Sequence, residues 1–366
     1  MKPEKEDLLE RYSTAATHEC TSWVVMPELT GGKYMLLHKN RDSKVKKICL
    51  NQAAPAGKNS WIALGSPGGS ANIGINSRGV AIVMNSGDLS DGQSKEPALS
   101  TSKMAAVALE ACASAAEAVD LIRDLVRDRK YQHGERGSIW FFADPKRAFV
   151  AENDLLRFAV HEVESGFAIR ANVWHYPEML IYSASSPAEH IKNLRRECAV
   201  LDHLFGRGTA YAGPVTVEKI AEASRIDLIP EAPECYPLCG CLTNSAGTIA
   251  IDCEYPEMLS TLYAAFGPPR HAAYLPIPAV QTELPEPLLE VAFADAAFAR
   301  YDAKRDLLPI DELIAFELKL NQRHCSAVEE AREKLKNGGT RQEVRKILSA
   351  AFRHNWEELR ELCEGR

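Results

Sequence analysis

The chain has 366 residues, 46% of them hydrophobic and 25% charged, with 43 Lys and Arg against 50 Asp and Glu for a formal net charge of −7. That acidic balance offers no broad basic face for nucleic acid, and no stretch approaches the roughly 20 apolar residues that span a bilayer. The length allows a sizeable core in one large domain or two to three smaller ones. The ten cysteines, with no secretory signal ahead of them, read as buried thiols of a reduced, cytoplasmic protein.

Residues 1–19 lack the apolar centre of a signal peptide and read as a short helix over 3–12 followed by a Ser/Thr/Ala loop. Cys20 then heads an apolar, β-branched run, Cys20-Thr21-Ser22-Trp23-Val24-Val25, which reads as a strand. Residues 34–38 read as a second strand, joined to the first by a turn holding Gly31-Gly32. The polar group Lys39-Asn40-Arg41-Asp42 at the far end of this hairpin folds back beside Cys20. A cation and a carboxylate next to a thiol at a strand start suit a nucleophile. If the Glu19–Cys20 bond is cut, Cys20 becomes N-terminal. Its own α-amine, with a pKa near ~8, can then serve as the general base for its thiol.

Residues 20–95 read as strands and turns, with a strand at 61–64 and a hairpin of 71–75 with 79–84 across Asn76-Ser77-Arg78. The loop from Gly65 to Ser70 lacks the Gly-Lys-Ser/Thr ending of a phosphate-binding loop and reads as a turn. Apolar residues at helical spacing predict one helix over 101–129. A hairpin at 137–142 and 148–152 turns on Asp144-Pro145-Lys146, and strands continue at 156–163 and 167–172. The stretch from Asn172 to Pro177 reads as a loop with exposed aromatics, a candidate substrate lip. Helices follow at 187–205 and 216–224, then strands at 239–244, 247–253 and 262–266. Helices with charged faces cover 286–301, 310–320, 322–336 and 340–362. Strands, two helices, more strands and then helices indicate an α+β layered protein.

Among candidate ligands, Cys235, Cys239 and Cys241 have no second pair or histidine at zinc spacing and predict no metal site. His18 and His38 flank the two polar elements. A thiol–imidazole pair would need one of them as base, and the face of His38 is left open by the pattern.

Four pieces in order carry a family resemblance. They are Cys20-Thr21; Lys39-Asn40-Arg41-Asp42; Gly74-Ile75-Asn76-Ser77-Arg78-Gly79-Val80 with Asn85 after it; and Leu242-Thr243-Asn244-Ser245. Over roughly residues 20–280 the chain resembles the N-terminal nucleophile (Ntn) cysteine hydrolases. The nearest branch is that of penicillin acyltransferases, choloylglycine hydrolases and related linear-amide hydrolases. There the second element reads Arg-Asn-x-Asp or Gln-Asn-x-Asp, the turn reads Gly-x-Asn-x-x-Gly, and a Leu-Thr-Asn element occurs.

The resemblance implies a four-layer αββα sandwich, with a leader over 1–19 removed by self-cleavage and a catalytic domain over 20–285; the helices of 286–366 lie outside the motifs and read as an extension that packs on the main domain or on another subunit. It implies Cys20 as nucleophile, Asp42 as the carboxylate holding the freed α-amine, and Lys39 as the cation near the thiol, with Arg41 as its rival. Asn85 and Asn244 become oxyanion donors, a role whose loss costs about 10²–10³ in rate, and Arg270 becomes the late arginine of the family. No metal and no organic cofactor is implied. The expected reaction is hydrolysis or acyl transfer at a linear amide of a small-molecule acyl amide, through a thioester on Cys20. Two alternatives stand beside it: a cysteine dipeptidase of the same superfamily, and a non-enzymatic binding protein that keeps its leader. Self-association is left open.

Overall fold

The computed structural model describes residues 20–89, 98–131, 136–206, 213–227, 237–240, 242–280, 283–302 and 307–364. The expected leader over 1–19 and Cys235 and Cys241 lie outside them. The strands form two antiparallel sheets. The first runs in the order β10 (Phe167–Arg170), β1 (Cys20–Val25), β2 (Tyr34–Asp42), β11 (Thr243–Asp252), β12 (Thr261–Ala265), β13 (Leu275–Pro278). The second is a meander in chain order: β3 (Cys49–Ala53), β4 (Trp61–Gly65), β5 (Ile73–Asn76), β6 (Ala81–Leu89), β7 (Arg136–Ala143), β8 (Ala148–Asn153), β9 (Phe158–Glu162). The β1–β2 turn passes through Gly31 and Gly32, both at positive φ (76° and 78°), which glycine adopts without a Cβ clash.

Alternation along each strand sorts side chains between faces. Val24, Met35, Leu37 and Ile249 of the first sheet share a buried cluster with Ile62, Ile73, Val83 and Phe141 of the second. On the other face of the second sheet, Trp61, Ile82, Trp140 and Phe142 pack with Met104, Leu109, Val119 and Ile122. Those four belong to helices α1 (Thr101–Ala111) and α2 (Ala115–Arg127). On the other face of the first sheet, Trp23, Val25 and Leu36 pack with Val200, Leu204 and Ile220. These come from α4 (Pro187–Phe205) and α5 (Val217–Ser224), which follow the single turn α3 (Pro177–Leu180).

After the short helices α6 (Pro256–Leu259), α7 (Glu286–Leu289) and α8 (Val291–Asp302), the chain ends in α9 (Ile310–Lys336) and α10 (Arg341–Glu364). Leu313, Phe352, Trp356 and Leu359 of this last pair belong to the same buried cluster as the residues between the sheets.

The structure corrects several element expectations. The helix expected over 101–129 is two helices. Ser114 accepts from the Glu117 amide while the Glu117 carboxylate accepts from the Ala113 amide, a reciprocal cap that starts a new helix. The strands expected at 239–244 and 247–253 are one strand with an irregularity between Thr243 and Ser245. The helices expected at 310–320 and 322–336 are continuous. Strands β3 and β13 were not anticipated, and β2 extends through Lys39 to Asp42.

Trp174 illustrates how tightly the second sheet is filled. A Cβ added at Gly137 would lie 2.5 Å from Trp174 Cζ2 and collide with the Asn153 carbonyl, and one at Gly87 would lie 2.7 Å from Trp174 Nε1. Gly137→Ala is therefore expected to destabilise the fold by about 1–3 kcal/mol through overpacking. Urea denaturation checks this, the expected outcome being a lower midpoint at unchanged slope.

Candidate active site

The site forms at one end of the first sheet, on the face turned to the second. In the β1–β2 register Cys20 stands opposite Arg41 and Ser22 opposite Lys39. In the β2–β11 register Arg41 stands opposite Ser245 and Lys39 opposite Gly247. Cys20, Ser22, Lys39 and Arg41 thus continue the inward face of Val24 and Leu37. His38, Asn40 and Asp42 continue the outward, helix-covered face. Cys20 is buried with 6% exposure.

Lys39 is the unusual residue of the inner face, because its side-chain amine is buried between two sheets. Its Nζ donates to the Met84 carbonyl at 2.6 Å and to Asn85 Oδ1 at 2.8 Å, and it is coupled electrostatically to the Cys20 thiol. Burial pushes its pKa below the usual 10.5. The coupling to Cys20 and the charge of Asp42 oppose that shift, and Arg41 adds to it. Arg41 donates to Asn244 Oδ1 at 2.9 Å and to Ser66 Oγ at 3.3 Å. The sequence left Lys39 and Arg41 as rivals, and both lie on the same face as Cys20.

The backbone nitrogen of Cys20 donates to Asn172 Oδ1 at 2.6 Å. The same oxygen is 3.5 Å from Arg196 Nη1, and Arg196 Nη2 donates to Asp42 Oδ2 at 3.0 Å. Thr243 Oγ1 donates to Asp42 Oδ1 at 2.6 Å. Asp42 therefore reaches the Cys20 nitrogen through a fully buried arginine and an asparagine. Neither Asn172 nor Arg196 was singled out as a site residue, and their distance along the chain leaves no local signal.

Asn172 is set by an irregular segment whose amides bond to buried carboxylates. Ala171 donates to Glu197, Trp174 to Asp88, and His175 and Tyr176 to Glu152. Glu152 and Asp88 are fully buried. Buried backbone outside a sheet must find such partners. The exposed aromatic lip expected here is corrected: Trp174 is 1% exposed and lies in the inter-sheet core, while Tyr176 is half-buried and stacks on His161.

Three further expectations meet a different geometry. The Asn85 amide donates to the Arg170 and Ala171 carbonyls at 3.1 and 3.2 Å, and its oxygen accepts from Ser22 and Lys39. The Asn244 amide donates to the Ser43 and Val45 carbonyls at 3.1 and 2.8 Å. In this conformation neither side chain has an N–H left for an acyl oxygen. Arg270 pairs with Asp227 and has no described contact with Cys20, Lys39 or Asp42.

His38 faces away from Cys20. Its nitrogens bond Thr248 Oγ1 and Asn40 Oδ1, both at 2.8 Å, and its ring stacks on Trp23. It is not the thiol's base, and His18 lies outside the described residues. Cys239 is buried and its thiol is pushed up to about 12. Among the described residues no group of His, Cys, Asp and Glu could hold a metal. Beside Asp42 a cavity of about 170 Å³ is lined by Ser43, Lys44, Lys46, Thr243, Asn244 and Phe298.

No protein-family model matches the sequence, and no curated protein does. Among solved structures the fold is similar to penicillin V acylase from Agrobacterium tumefaciens, at 12% identity and a TM-score of 0.44, over 74% of this chain and 88% of that one. A variant of conjugated bile acid hydrolase from Clostridium perfringens matches at 11% identity and 0.44, over 68% and 89%. A second variant of that hydrolase matches at 12% and 0.37, over 68% and 89%.

Two outcomes follow from the buried charges. Arg196→Met removes one partner of a fully buried ion pair and is expected to cost about 3–5 kcal/mol, read as a lowered urea midpoint. Burial lowers His38 to about 3 and His324 to about 4, so both are neutral in the folded chain and become charged in the unfolded one below ~6.5. Their contribution is full above that pH and is lost as pH falls toward 4. Denaturation from pH 7 to pH 5 should show falling stability, with uptake of up to about two protons on unfolding.

Proposed function

We propose that this protein is a cysteine amidohydrolase of the Ntn type, with Cys20 as nucleophile. The observation that carries the reading is a thiol at the start of β1, on the same face as a buried lysine and coupled to it electrostatically, while its own backbone nitrogen is held by Asn172. A structural cysteine needs neither. In this reading the two sheets and their flanking helices form a four-layer αββα sandwich, and the helices from 286 onward are an extension of it. Residues 1–19 are a leader released when Cys20 attacks the Glu19 carbonyl. The freed α-amine stays at Asn172 Oδ1, and Asp42 orients it through Arg196.

The substrate step follows the same path. The Cys20 sulfur attacks an amide carbonyl, the C–N bond breaks, and an acyl-thioester remains until water cleaves it or an amine accepts the acyl group. Arg41, one strand away on the same face and electrostatically coupled to Cys20, is a permanent cation for a developing oxyanion. The protein is assigned to the cytoplasm and acts without metal or organic cofactor.

A cysteine dipeptidase is the second reading. Lys44 and Lys46 line the cavity beside Asp42, where the free carboxylate of a dipeptide would be matched.

The test is intact mass of the purified wild type beside Cys20→Ala, followed by a screen of N-acyl amides against dipeptides. Loss of residues 1–19 in the wild type only, with amide cleavage abolished at least ~10³-fold in the variant, is the expected result. If both keep the leader and neither cleaves any amide, the hydrolase reading is wrong and a binding protein remains.

A further inference from the structure

Near Cys20 the inner face of the first sheet holds a sulfur, the Lys39 amine and the Arg41 guanidinium; a second guanidinium on that face, Arg170 opposite Ser22, is already paired with Glu152 of the second sheet. Around Lys39 the charged or titratable groups are Cys20 on β1, and Arg41 and Asp42 on its own strand. Asp42 points to the opposite face, where Arg196 and Thr243 hold it. From β6 Lys39 meets only the neutral Met84 carbonyl and Asn85 side chain, and from β11 it faces Gly247, which has no side chain. A permanent ammonium would thus sit without a counter-ion on its own face, beside a second cation.

The hydrogen bonds around the amine are arranged for two protonation states. The Nζ has two fixed acceptors, the Met84 carbonyl and Asn85 Oδ1. Asn85 Oδ1 cannot rotate away, because its amide is tied to the Arg170 and Ala171 carbonyls. Cys20 lies on the same face, two residues before Ser22, which stands opposite Lys39, and is coupled to the amine electrostatically. A neutral amine has two hydrogens for the two acceptors and a lone pair for the S–H. An ammonium has the same two hydrogens and a third for the thiolate. The heavy atoms need not move between the two states.

We propose that Lys39 is the proton acceptor for the Cys20 sulfur, making the pair a thiol–amine dyad. The proposal rests on the Cys20 nucleophile reading and goes beyond it by removing the need for the α-amine as base. In the forward step the S–H bond breaks and an N–H bond forms on Lys39, while the sulfur bonds to the amide carbonyl carbon. The C–N bond then breaks and the leaving nitrogen takes the proton from Lys39. In the second half a water gives its proton to the same amine, its oxygen bonds to the acyl carbon, and the C–S bond breaks. Thiol and amine are restored when Lys39 returns the proton to sulfur. The nitrogen of Cys20 already directs its hydrogen at Asn172 Oδ1, which suits a positioning role. Burial, which favours the uncharged amine, acts in the same direction. An arginine at this position could supply charge but could not accept the proton.

The experiment uses the full chain with lysine labelled at the ε-carbon. The Lys39 resonance, assigned by its absence in Lys39→Arg, is followed with pH beside the rate at which iodoacetamide alkylates Cys20. The two groups titrate as a pair, whose two macroscopic steps belong to both, and the first of them gives the net-neutral pair. The Lys39 signal should move toward the neutral amine in the same step that makes Cys20 reactive. Lys39→Arg should still be alkylated at Cys20 but lose amide hydrolysis by about 10²–10⁴-fold. A Lys39 signal that stays with the surface lysines through that step overturns the proposal, even if the variant does not fold. Retained hydrolysis in a folded Lys39→Arg overturns it as well. A Cys20 that reacts no faster than the other cysteines removes the nucleophile reading itself, and the dyad with it.

Discussion

Dehydration of a single amine organises the Cys20 end of the first sheet. Placing Lys39 between two apolar sheets is costly unless its hydrogens are accepted. The fold supplies the acceptors from β6 of the opposing sheet, one of them a main-chain carbonyl and the other an asparagine oxygen. That asparagine is itself pinned by two carbonyls at the end of β10 and by Ser22 on β1. The contact that satisfies Lys39 therefore also fixes the approach of the two sheets at the level of Cys20. Gly247 opposite Lys39 leaves the amine free of any side chain from β11.

A parallel constraint governs the segment from Ala171 to Tyr176. It leaves the sheet and runs through the interior, so its amides lose both water and a neighbouring strand. Glu152, Glu197 and Asp88 accept from them, and the result is a rigid bracket that delivers Asn172 to the Cys20 nitrogen. Three carboxylates buried for this purpose explain why the stretch, rich in aromatics, is an interior strut and not a surface lip.

Much of the hairpin was legible. The β-branched run after Cys20, the Gly31-Gly32 turn and the return through Lys39 to Asp42 follow from local pattern, as do α4 and α5 from their spacing. The period of two also separates Lys39 from Asp42, three positions apart, onto opposite faces. The break between α1 and α2 was written in Ser114 and Glu117, and apolar spacing on both sides masked it. Asn172 and Arg196 were not legible, since each meets the site from more than 150 positions away, Asn172 at the Cys20 nitrogen and Arg196 at Asp42. The motif order pointed to Asn85 and Asn244 by residue type, but which carbonyls their amides reach depends on loops 43–45 and 170–171, and sequence pattern does not place those.

The strand order of the first sheet bears on timing during synthesis. The β1–β2 hairpin emerges early, but its partner on the open edge of β2 is β11, some two hundred residues later, and its outer cover is α4 and α5. Until those segments have left the ribosome, Lys39 remains hydrated and Arg196 has not met Asp42. Such long-range pairings form slowly because loop closure precedes any gain. The surroundings of Cys20 are therefore completed late, once β11, α4 and α5 have joined the hairpin.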